Sequence, residues 1–358
     1  MTKLNSLLSV GNLSTALGEI GRDPVARKEL ISALRRIEAN FLAPDVNVRD
    51  SVTGPIVDAL FDPSELLTKT LVSGLAISFR YTSKIARDFV MAGDRPDHIW
   101  EPQTTKLLVM LSSTARTAVF AGAYFGDQAL LAASAMRQVG ARCYCFEIDE
   151  IQVGLLESNA RTNALESIVA VRQPLWNRAG VRLTLVGKDA YASLREALEE
   201  GCDIPATATL DDFGRRAGID HIQLLSMDIE GGELAALQGA HSYLRQPEAE
   251  APTLIFEVHR SYVDWSSGLE NTEVARFLEG FGYVLFAIRD YQGNVDMRGR
   301  PVEIIPIRTA YLDGPPHGFN VLAIKQNDLA TRFGLRVVDN VSPKLLFHRD
   351  PRLHQPLN

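Results

Sequence analysis

The chain has 358 residues, of which 46% are hydrophobic and 23% are charged, and its formal net charge is −7 at pH 7. This composition is typical of a globular protein with a sizeable core, and the acidic balance gives no electrostatic reason to expect a nucleic-acid partner. No apolar run reaches the roughly 20 residues that span a bilayer, and no signal peptide is evident, so we expect a cytoplasmic protein that does not bind membranes.

Residues 1–97 are predicted to form a helical N-terminal extension, which would act as a lid or as an oligomerisation element of a homodimer. The Asp23-Pro24 pair predicts a helix start, because a capping residue followed by proline suits the first helical turn. Asp62-Pro63 repeats this signal and predicts a helix through Leu71, and Ser83 begins a further one.

Three polar residues of this extension, Tyr81, Lys84 and Arg87, are candidates for lining a substrate entrance. We favour the simpler interpretation that they lie on a solvated helix face.

Residues 98–330 alternate short apolar runs with helix-like stretches, and residues 331–358 remain as a C-terminal tail. Such alternation predicts an α/β fold, with a parallel sheet covered by helices on both faces. Helices are predicted over Asp127–Val139 and Gly232–Leu244. The predicted strands are Ala118–Ala121, Cys143–Ile148, Ser167–Val171, Gln223–Asp228, Thr253–Val258, Tyr283–Ile288 and Phe319–Ile324.

The chain has three cysteines, Cys143, Cys145 and Cys202, and this odd number indicates no disulfide framework. Cys143 and Cys145 are two apart in a predicted strand, so both side chains should face the same side. Core packing is their expected role.

The first strand of the predicted sheet runs into a glycine turn, Phe120-Ala-Gly-Ala-Tyr-Phe-Gly-Asp127. Gly122 and Gly126 lack side chains, which lets a ligand approach the backbone. The pattern is not the G-x-G-x-x-G that places a pyrophosphate at a helix N-terminus in nicotinamide enzymes. A glycine pair needed only for packing would look the same.

Glu147 closes the next strand, about 20 to 25 residues further on, where a Rossmann-like fold places an acid against ribose hydroxyls. A carboxylate suits this place because it can accept hydrogen bonds from both hydroxyls. With the glycine turn, Glu147 predicts a ligand that contains adenosine but no pyrophosphate. The alternative is a solvated acid at a strand end.

An acidic segment follows a later strand, where Asp228, Glu230 and Glu233 lie within six residues. Ligands bind at the carboxyl ends of strands in such sheets, so this cluster should face the cleft. Carboxylates this close are costly unless they are solvated, paired or bound to a cation.

Glu257 and His259 end the following strand, and we expect one of them to face the site while the other packs. A histidine here could take a proton from a hydroxyl nucleophile near neutral pH. A structural histidine is the alternative.

In order and approximate spacing, these features resemble the FkbM-type methyltransferases. The resemblance covers roughly residues 98–325, and Trp100-Glu101-Pro102 is similar to the family's lead-in. The shared motifs are the glycine turn, Phe146-Glu147, Thr209-Leu-Asp-Asp-Phe213, Asp228–Glu233 and Glu257-Val-His259.

The resemblance implies a Rossmann-like class I methyltransferase sheet of seven strands, the last of them inserted antiparallel. It also implies O-methyl transfer from S-adenosyl-L-methionine to a hydroxyl of a sugar, polyketide, glycan or similar natural product. The residues implied to bind this cofactor, from methionine to ribose to adenine, are Gly122, Ala123, Tyr124 and Gly126, then Glu147, then Ile148, Pro174 and Leu175, with Asp228 near the sulfonium.

Two positions depart from the family's pattern. Phe120 replaces an acid, so the methionine end must be held differently, and Asp127 and Glu101 are the candidates. Ser226 replaces a common lysine, which puts in doubt any mechanism that needs that lysine.

For transfer to a hydroxyl, we expect Asp228 or His259 to act as the base, oriented by Glu230 or Glu257. An alternative is a divalent cation such as Mg²⁺, held by Asp228, Glu230 and Glu257. A non-catalytic adenosyl-binding protein is a further alternative, but it would not need the acidic cluster.

The identity of the acceptor would be set by the N-terminal extension and by the segments Tyr262–Asn271 and Tyr291–Pro316. Their composition predicts no pocket shape.

Overall fold

The computed structural model describes residues 10–40, 47–186, 193–196, 204–291, 294–296, 298–312, 318–325, 331 and 333–345. Cys202, part of the 291–316 segment and residues 346–358 of the predicted tail lie outside these ranges. In the described part of the chain, no helix is long and apolar enough to cross a membrane.

Helices flank a central sheet, and most of them are short. The helices are α1 (Val10–Arg22), α2 (Pro24–Asn40), α3 (Gly54–Asp58), α4 (Lys84–Met91), α5 (Pro102–Ser112), α6 (Ala129–Ala135), α7 (Glu150–Thr162), α8 (Leu210–Ala217), α9 (Glu233–Gln238), α10 (His241–Leu244) and α11 (Glu273–Glu279). A π-helical turn spans Arg49–Thr53, and 3₁₀ turns span Leu269–Asn271 and Ile307–Thr309.

The strands form the central sheet and three two-stranded pairs. They are β1 (Leu66–Thr70), β2 (Ala76–Arg80), β3 (Thr117–Ala121), β4 (Arg142–Phe146), β5 (Ile168–Val171), β6 (Leu183–Val186), β7 (Ser193–Glu196), β8 (Leu224–Met227), β9 (Thr253–His259), β10 (Val284–Ile288), β11 (Asp290–Tyr291), β12 (Glu303–Pro306), β13 (Gly318–Ile324), β14 (Arg336–Val337) and β15 (Lys344–Leu345). The pairs are β1–β2, β6–β7 and β11–β15.

The central sheet has the order β14-β12-β10-β13-β9-β8-β3-β4-β5. The strands β5, β4, β3, β8 and β9 are parallel, and β13 lies antiparallel between β9 and β10. The predicted α/β fold with an inserted antiparallel strand is therefore confirmed. The predicted strand count of seven is wrong for the described residues, because β12 and β14 extend one edge to nine, and β14 lies beyond residue 330.

The predicted helix from Asp62 to Leu71 is wrong, because this stretch forms a turn and then the first strand of a hairpin. The Asp62 carboxylate accepts hydrogen bonds from the Ser64 amide (2.8 Å) and hydroxyl (2.6 Å). This side chain to backbone turn competes with a helix start. The strand β1 then pairs antiparallel with β2, whose Ile77 and Phe79 are buried.

The predicted helices before and after the hairpin are present. The Asp23 carboxylate accepts from the amides of Val25 and Ala26 at the start of α2. The Ser83 hydroxyl accepts from the Ala86 amide at the start of α4. Both caps satisfy amide groups that a helix start leaves unpaired.

Two helices predicted in the second half differ from their expected bounds. The stretch 127–139 is helical only over α6, and 232–244 is divided into α9 and α10 at Gly239. A Cβ on Gly239 would lie 2.0 Å from the carbonyl oxygen of Trp176, so this glycine lets a neighbouring chain segment approach the helix. Cys143 and Cys145 are fully buried in the core on one side of the sheet, as predicted.

Asp290 connects three segments that are far apart in the sequence, near the start of α5. The Asp290 carboxylate, in β11, accepts from the amides of Gln103 (3.0 Å) and Thr104 (2.9 Å), and its own amide donates to the Pro343 carbonyl (2.8 Å). Asp290 is buried and therefore caps α5 from a distant part of the sequence while it holds the C-terminal strand β15 beside it.

Candidate active site

A cleft of about 1250 Å³ lies at the carboxyl ends of β3, β4, β8 and β9, where ligands bind in sheets of this kind. All but one of the residues predicted for the site line this cleft. They are Glu101, Gly122, Ala123, Tyr124, Asp127, Glu147, Ile148, Pro174, Leu175, Asp228, Glu230, Glu257 and His259.

Gly122 brings three strands together at the cleft. Its φ of +77° is in the left-handed region, and a Cβ there would lie 1.8 Å from the Asp228 carbonyl oxygen. The amides of Gly122 and Ala123 both donate to the Phe146 carbonyl at 2.9 Å. Only a residue without a side chain allows this approach of β3, β4 and β8.

Gly126, the other glycine of the turn, does not line the cleft in the structure. Its φ is +93°, and a Cβ there would meet Leu130 and Leu156 at 2.7–2.8 Å. The packing alternative therefore describes Gly126 better than contact with a ligand.

The Glu147 carboxylate is held in place by three backbone amides. One oxygen accepts from Ile148 (2.7 Å) and Asp149 (2.9 Å), and the other accepts from Tyr124 (2.8 Å). A carboxylate offers about four acceptor positions, so one remains for a ligand hydroxyl. Burial raises the pKa of Glu147, and the three amides oppose that rise.

Glu101 and Asp127 form a buried acidic pair beside the glycine turn. Glu101 accepts from Gln128 (3.1 Å) and from Asn320 (2.7 Å). Burial, followed by the charge of Glu101, raises the pKa of Asp127 to about 7, and burial also raises the pKa of Glu101. A bound cation would favour the ionised form of both groups.

Asp228 and Glu257 form a second acidic pair in the cleft. Desolvation and the charge of Glu257 raise the pKa of Asp228 well above its ordinary value. Desolvation and the charge of Glu101 raise the pKa of Glu257 to about 8. Carboxyl groups in this arrangement resist ionising together, so a proton is retained near neutral pH.

The expectation that only one of Glu257 and His259 faces the site is wrong, because both line the cleft. Residues two apart in a strand lie on the same face. His259 Nδ1 accepts from the Ser261 amide (3.0 Å), which assigns the ring proton of the neutral form to Nε2. In this tautomer His259 is a hydrogen-bond donor at Nε2 rather than a base there.

Glu230 and Glu233 differ in their exposure to the cleft. Glu230 lines it and accepts from the Tyr262 hydroxyl, whereas Glu233 is 5% exposed and accepts from the Ile229 amide (2.8 Å). Glu233 therefore closes the loop after β8 without lining the cleft.

The alternative of a metal held by Asp228, Glu230 and Glu257 receives no support from the arrangement of side chains. Among the residues that the structure describes, no group of three or more His, Cys, Asp or Glu residues is placed to hold a metal ion.

The N-terminal extension forms one wall of the cleft. Tyr81, Lys84 and Arg87 all line it, and Tyr81 (6% exposed) and Arg87 (8% exposed) are buried, so the solvated-face interpretation is wrong for these two. Asp58 accepts from the Tyr81 hydroxyl (2.7 Å) and from Arg87 (3.0 Å). The Phe61 ring stacks on Tyr81 with centroids 4.4 Å apart.

Sequence reasoning missed Lys344 as a residue of the site. Lys344 lies in β15, within the predicted tail, and lines the same cleft as Glu101 and Glu257. Ser226, which departs from the family's lysine, also lines the cleft.

The Thr209–Phe213 motif has a structural role. The Thr209 hydroxyl accepts from the Asp212 amide (3.0 Å) and caps α8, and the Phe213 ring packs edge-on against Phe146 (centroids 4.8 Å apart). Neither Thr209 nor Phe213 lines the cleft.

The central sheet has the fold of class I methyltransferases, as shown by its strand order and by the inserted antiparallel strand. The glycine turn and Glu147 lie at the strand ends where this fold places them. A family model described as "Methyltransferase FkbM domain" matches residues 121–285, which confirms the resemblance found in the motifs. Residues 121–285 thus match a methyltransferase domain of the FkbM type.

Several solved structures are similar to this chain at low sequence identity. Methyltransferase FkbM from Methylobacillus flagellatus KT is 16% identical, over 59% of this chain and 44% of that one, with a TM-score of 0.35. The SAM-dependent methyltransferase from Agrobacterium tumefaciens is 15% identical (74% and 72% covered, TM-score 0.41). The O-methyltransferase from Bacillus cereus, in complex with SAH, is 13% identical (63% and 80% covered, TM-score 0.35). No curated protein matches the chain.

Proposed function

We propose that this protein transfers the methyl group of S-adenosyl-L-methionine to a hydroxyl of a small molecule such as a sugar, a polyketide or a related natural product. The observation that carries the proposal is the composition of one cleft. It contains a carboxylate fixed by three backbone amides, Glu147, beside the Gly122 turn, together with the acidic pair Asp228 and Glu257.

The residues of the cleft fit such a cofactor. Its sulfonium and ammonium groups give it a net positive charge, and seven Asp and Glu side chains of the described residues line the cleft. Glu147 keeps one acceptor position for a ribose hydroxyl, and Ile148, Pro174 and Leu175 provide apolar surface for an adenine ring. Glu101 and Asp127 would take the ammonium group.

When bound, the cofactor supplies a methyl group that is already activated for displacement. The residues of the chain then have to orient the acceptor hydroxyl and take its proton. The ionised member of the Asp228–Glu257 pair accepts that proton, and His259 donates a hydrogen bond from Nε2 that orients the acceptor oxygen. The side chains of the N-terminal extension form the wall against which the rest of the acceptor lies.

Calorimetry with S-adenosylhomocysteine and, in parallel, with NAD tests the cofactor. We expect binding of the first and not of the second. If the protein bound only NAD, or bound neither ligand, the proposal would be wrong.

Methyl transfer from labelled S-adenosyl-L-methionine to a panel of sugars, polyketides and glycans tests the reaction. With the acceptor so found, Asp228→Asn and Glu257→Gln should lower turnover by roughly 100- to 10,000-fold while S-adenosylhomocysteine still binds. Glu250→Gln, a change outside the cleft, is the matched control and should keep its turnover. Binding of the cofactor without transfer to any acceptor would favour a non-catalytic protein.

A further inference from the structure

Lys344 is a lysine with little access to solvent, and it lines a cleft whose charged residues are mainly acidic. It is 9% exposed and lies in β15, which pairs with β11 at Asp290–Tyr291. A buried ammonium group is costly unless charges or polar groups surround it. Its position next to the acids of the cleft therefore calls for an explanation in terms of ligand binding or of charge balance.

The charge of Lys344 acts on two acids of the cleft, Glu101 and Glu257. Among the charges around Glu101, that of Lys344 opposes the rise of the Glu101 pKa most strongly, and Lys344 acts in the same direction on Glu257. Glu101 in turn acts on Asp127. Lys344, Glu101 and Asp127 line the same cleft as Gly122.

The backbone holds this group together. Asp290 accepts from the first amides of α5, the helix that starts directly after Glu101, and its amide donates to the Pro343 carbonyl, directly before Lys344. The Lys344 amide donates to the Ser342 hydroxyl (3.1 Å). Glu101 and Lys344 are thus fixed relative to each other by one buried aspartate.

Among the described residues, four Lys and Arg side chains line the cleft, and three of them belong to other parts of its wall. Lys84 and Arg87 belong to α4 of the N-terminal extension, and Arg87 pairs with Asp58. Arg260 is exposed and lies over the Trp265 ring. Lys344 is the cation whose charge acts on Glu101.

We propose that Lys344 binds the α-carboxylate of the methionine end of the cofactor, while Glu101 and Asp127 bind its ammonium group. The proposal rests on the proposed function. An amino-acid group carries both charges on neighbouring atoms, so its binding site needs a cation within a few ångströms of an acid. These side chains come from the residue before α5, from the glycine turn and from the strand β15, and all three line one cleft. Two of the three lie outside the matched residues 121–285.

Three ligands that differ only in this end of the molecule test the assignment by calorimetry. S-Adenosylhomocysteine carries the amine and the carboxylate, S-adenosyl-3-thiopropylamine lacks the carboxylate, and 5′-methylthioadenosine lacks both. Lys344→Met should weaken S-adenosylhomocysteine binding by about tenfold to a hundredfold and leave the other two affinities within about twofold. Lys344→Arg should restore most of the lost affinity.

Lys325→Met is the matched control, because the Lys325 ammonium donates to the carbonyls of Leu244 (2.7 Å) and Gln246 (2.9 Å) outside the cleft. It should leave the affinities for all three ligands unchanged. A melting curve for each variant checks that it is folded.

Equal loss of all three affinities in Lys344→Met, or no loss of any, would overturn the assignment. If Lys344→Met does not fold, the affinities of the wild-type protein for the three ligands test the assignment. The wild-type protein must prefer S-adenosylhomocysteine to S-adenosyl-3-thiopropylamine by at least about tenfold, and a smaller preference overturns the assignment. Failure of the wild-type protein to bind any of the three ligands would instead contradict the proposed function itself.

Discussion

The carbonyl oxygen of Asp228 occupies the place that a side chain on Gly122 would need. A Cβ built on Gly122 lies 1.8 Å from that oxygen, and its φ of +77° already disfavours any residue other than glycine. The glycine turn and the acidic strand end thus depend on each other, which makes Gly122 the first position to test.

Gly122→Ala should destabilise the protein and abolish cofactor binding, because β3 and β8 must separate to admit the methyl group. Gly140→Ala is the matched control: Gly140 has a similar φ of +71°, but no atom lies within 4 Å of its Cβ position. The control should cost only the ~1–2 kcal/mol of the left-handed backbone. Melting temperature and S-adenosylhomocysteine affinity measure both effects, and equal losses in the two variants would contradict the crowding argument.

Glu147→Gln should weaken S-adenosylhomocysteine binding by about tenfold or more, as expected for a charged hydrogen-bonding group. Both carboxylate oxygens accept amide hydrogens, so the NH₂ group of glutamine would face a donor on one side. Asp149→Asn in the same turn is the control, because only one Asp149 oxygen accepts from the amides of Ile151 and Gln152. An affinity unchanged in Glu147→Gln would remove Glu147 from the ribose site.

Thr209→Ala should lower the free energy of unfolding by about 1 kcal/mol through loss of the α8 cap, without a change in cofactor affinity. Thr209→Ser keeps the hydroxyl and should keep the stability. Chemical denaturation and calorimetry separate the two effects. A selective loss of cofactor affinity would show that the motif acts on the ligand after all.

The melting temperature should fall as the pH rises from about 4.5 to 8. Burial raises the pKa of Glu233 from its ordinary 4.5 to about 7, so the protonated form is favoured in the folded state. This stability is fully present below the ordinary pKa and is lost as the pH rises through about 7. Asp127 and Glu257, with pKa values of about 7 and about 8, act in the same direction.

Glu233→Gln should reduce the change in the free energy of unfolding over this pH range by up to about 3 kcal/mol, because glutamine does not titrate. The glutamine oxygen can still accept from the Ile229 amide, so the fold should be kept. Glu29→Gln, on an exposed part of α2, is the control and should leave the dependence as it is in the wild type. A wild-type melting temperature that rises over this range would contradict the burial of these acids.

Local signals were sufficient to predict the parallel strands and most of the cleft. The Gly122 turn and Glu147 depend on conformation and chemistry within a few residues, and the strands that carry them are continuous apolar runs. Local signals failed where the same sequence pattern is compatible with two different structures. The Asp62-Pro63 pair suits a turn as well as it suits the start of a helix. Gly126 has the same spacing from Gly122 whether it packs against Leu130 or contacts a ligand.

Lys344 could not be predicted, because its place depends on pairing between segments far apart in the sequence. The strand β15 reaches the cleft only by pairing with β11, whose Asp290 in turn caps α5 nearly two hundred residues earlier. None of these contacts leaves a pattern within one stretch of sequence. The burial of Tyr81 and Arg87 was missed for the same reason, since Asp58, which pairs with both, belongs to a separate helix.

The buried contacts of Asp290 also bear on how this protein can be recombined with others. In a chimera that imports only residues 121–285, α5, β11 and β15 would all come from the recipient, so the imported Asp127 would meet the recipient's residues in place of Glu101 and Lys344. A swap with junctions before Trp100 and after Leu345 would transfer Asp290, the start of α5 and Lys344 together.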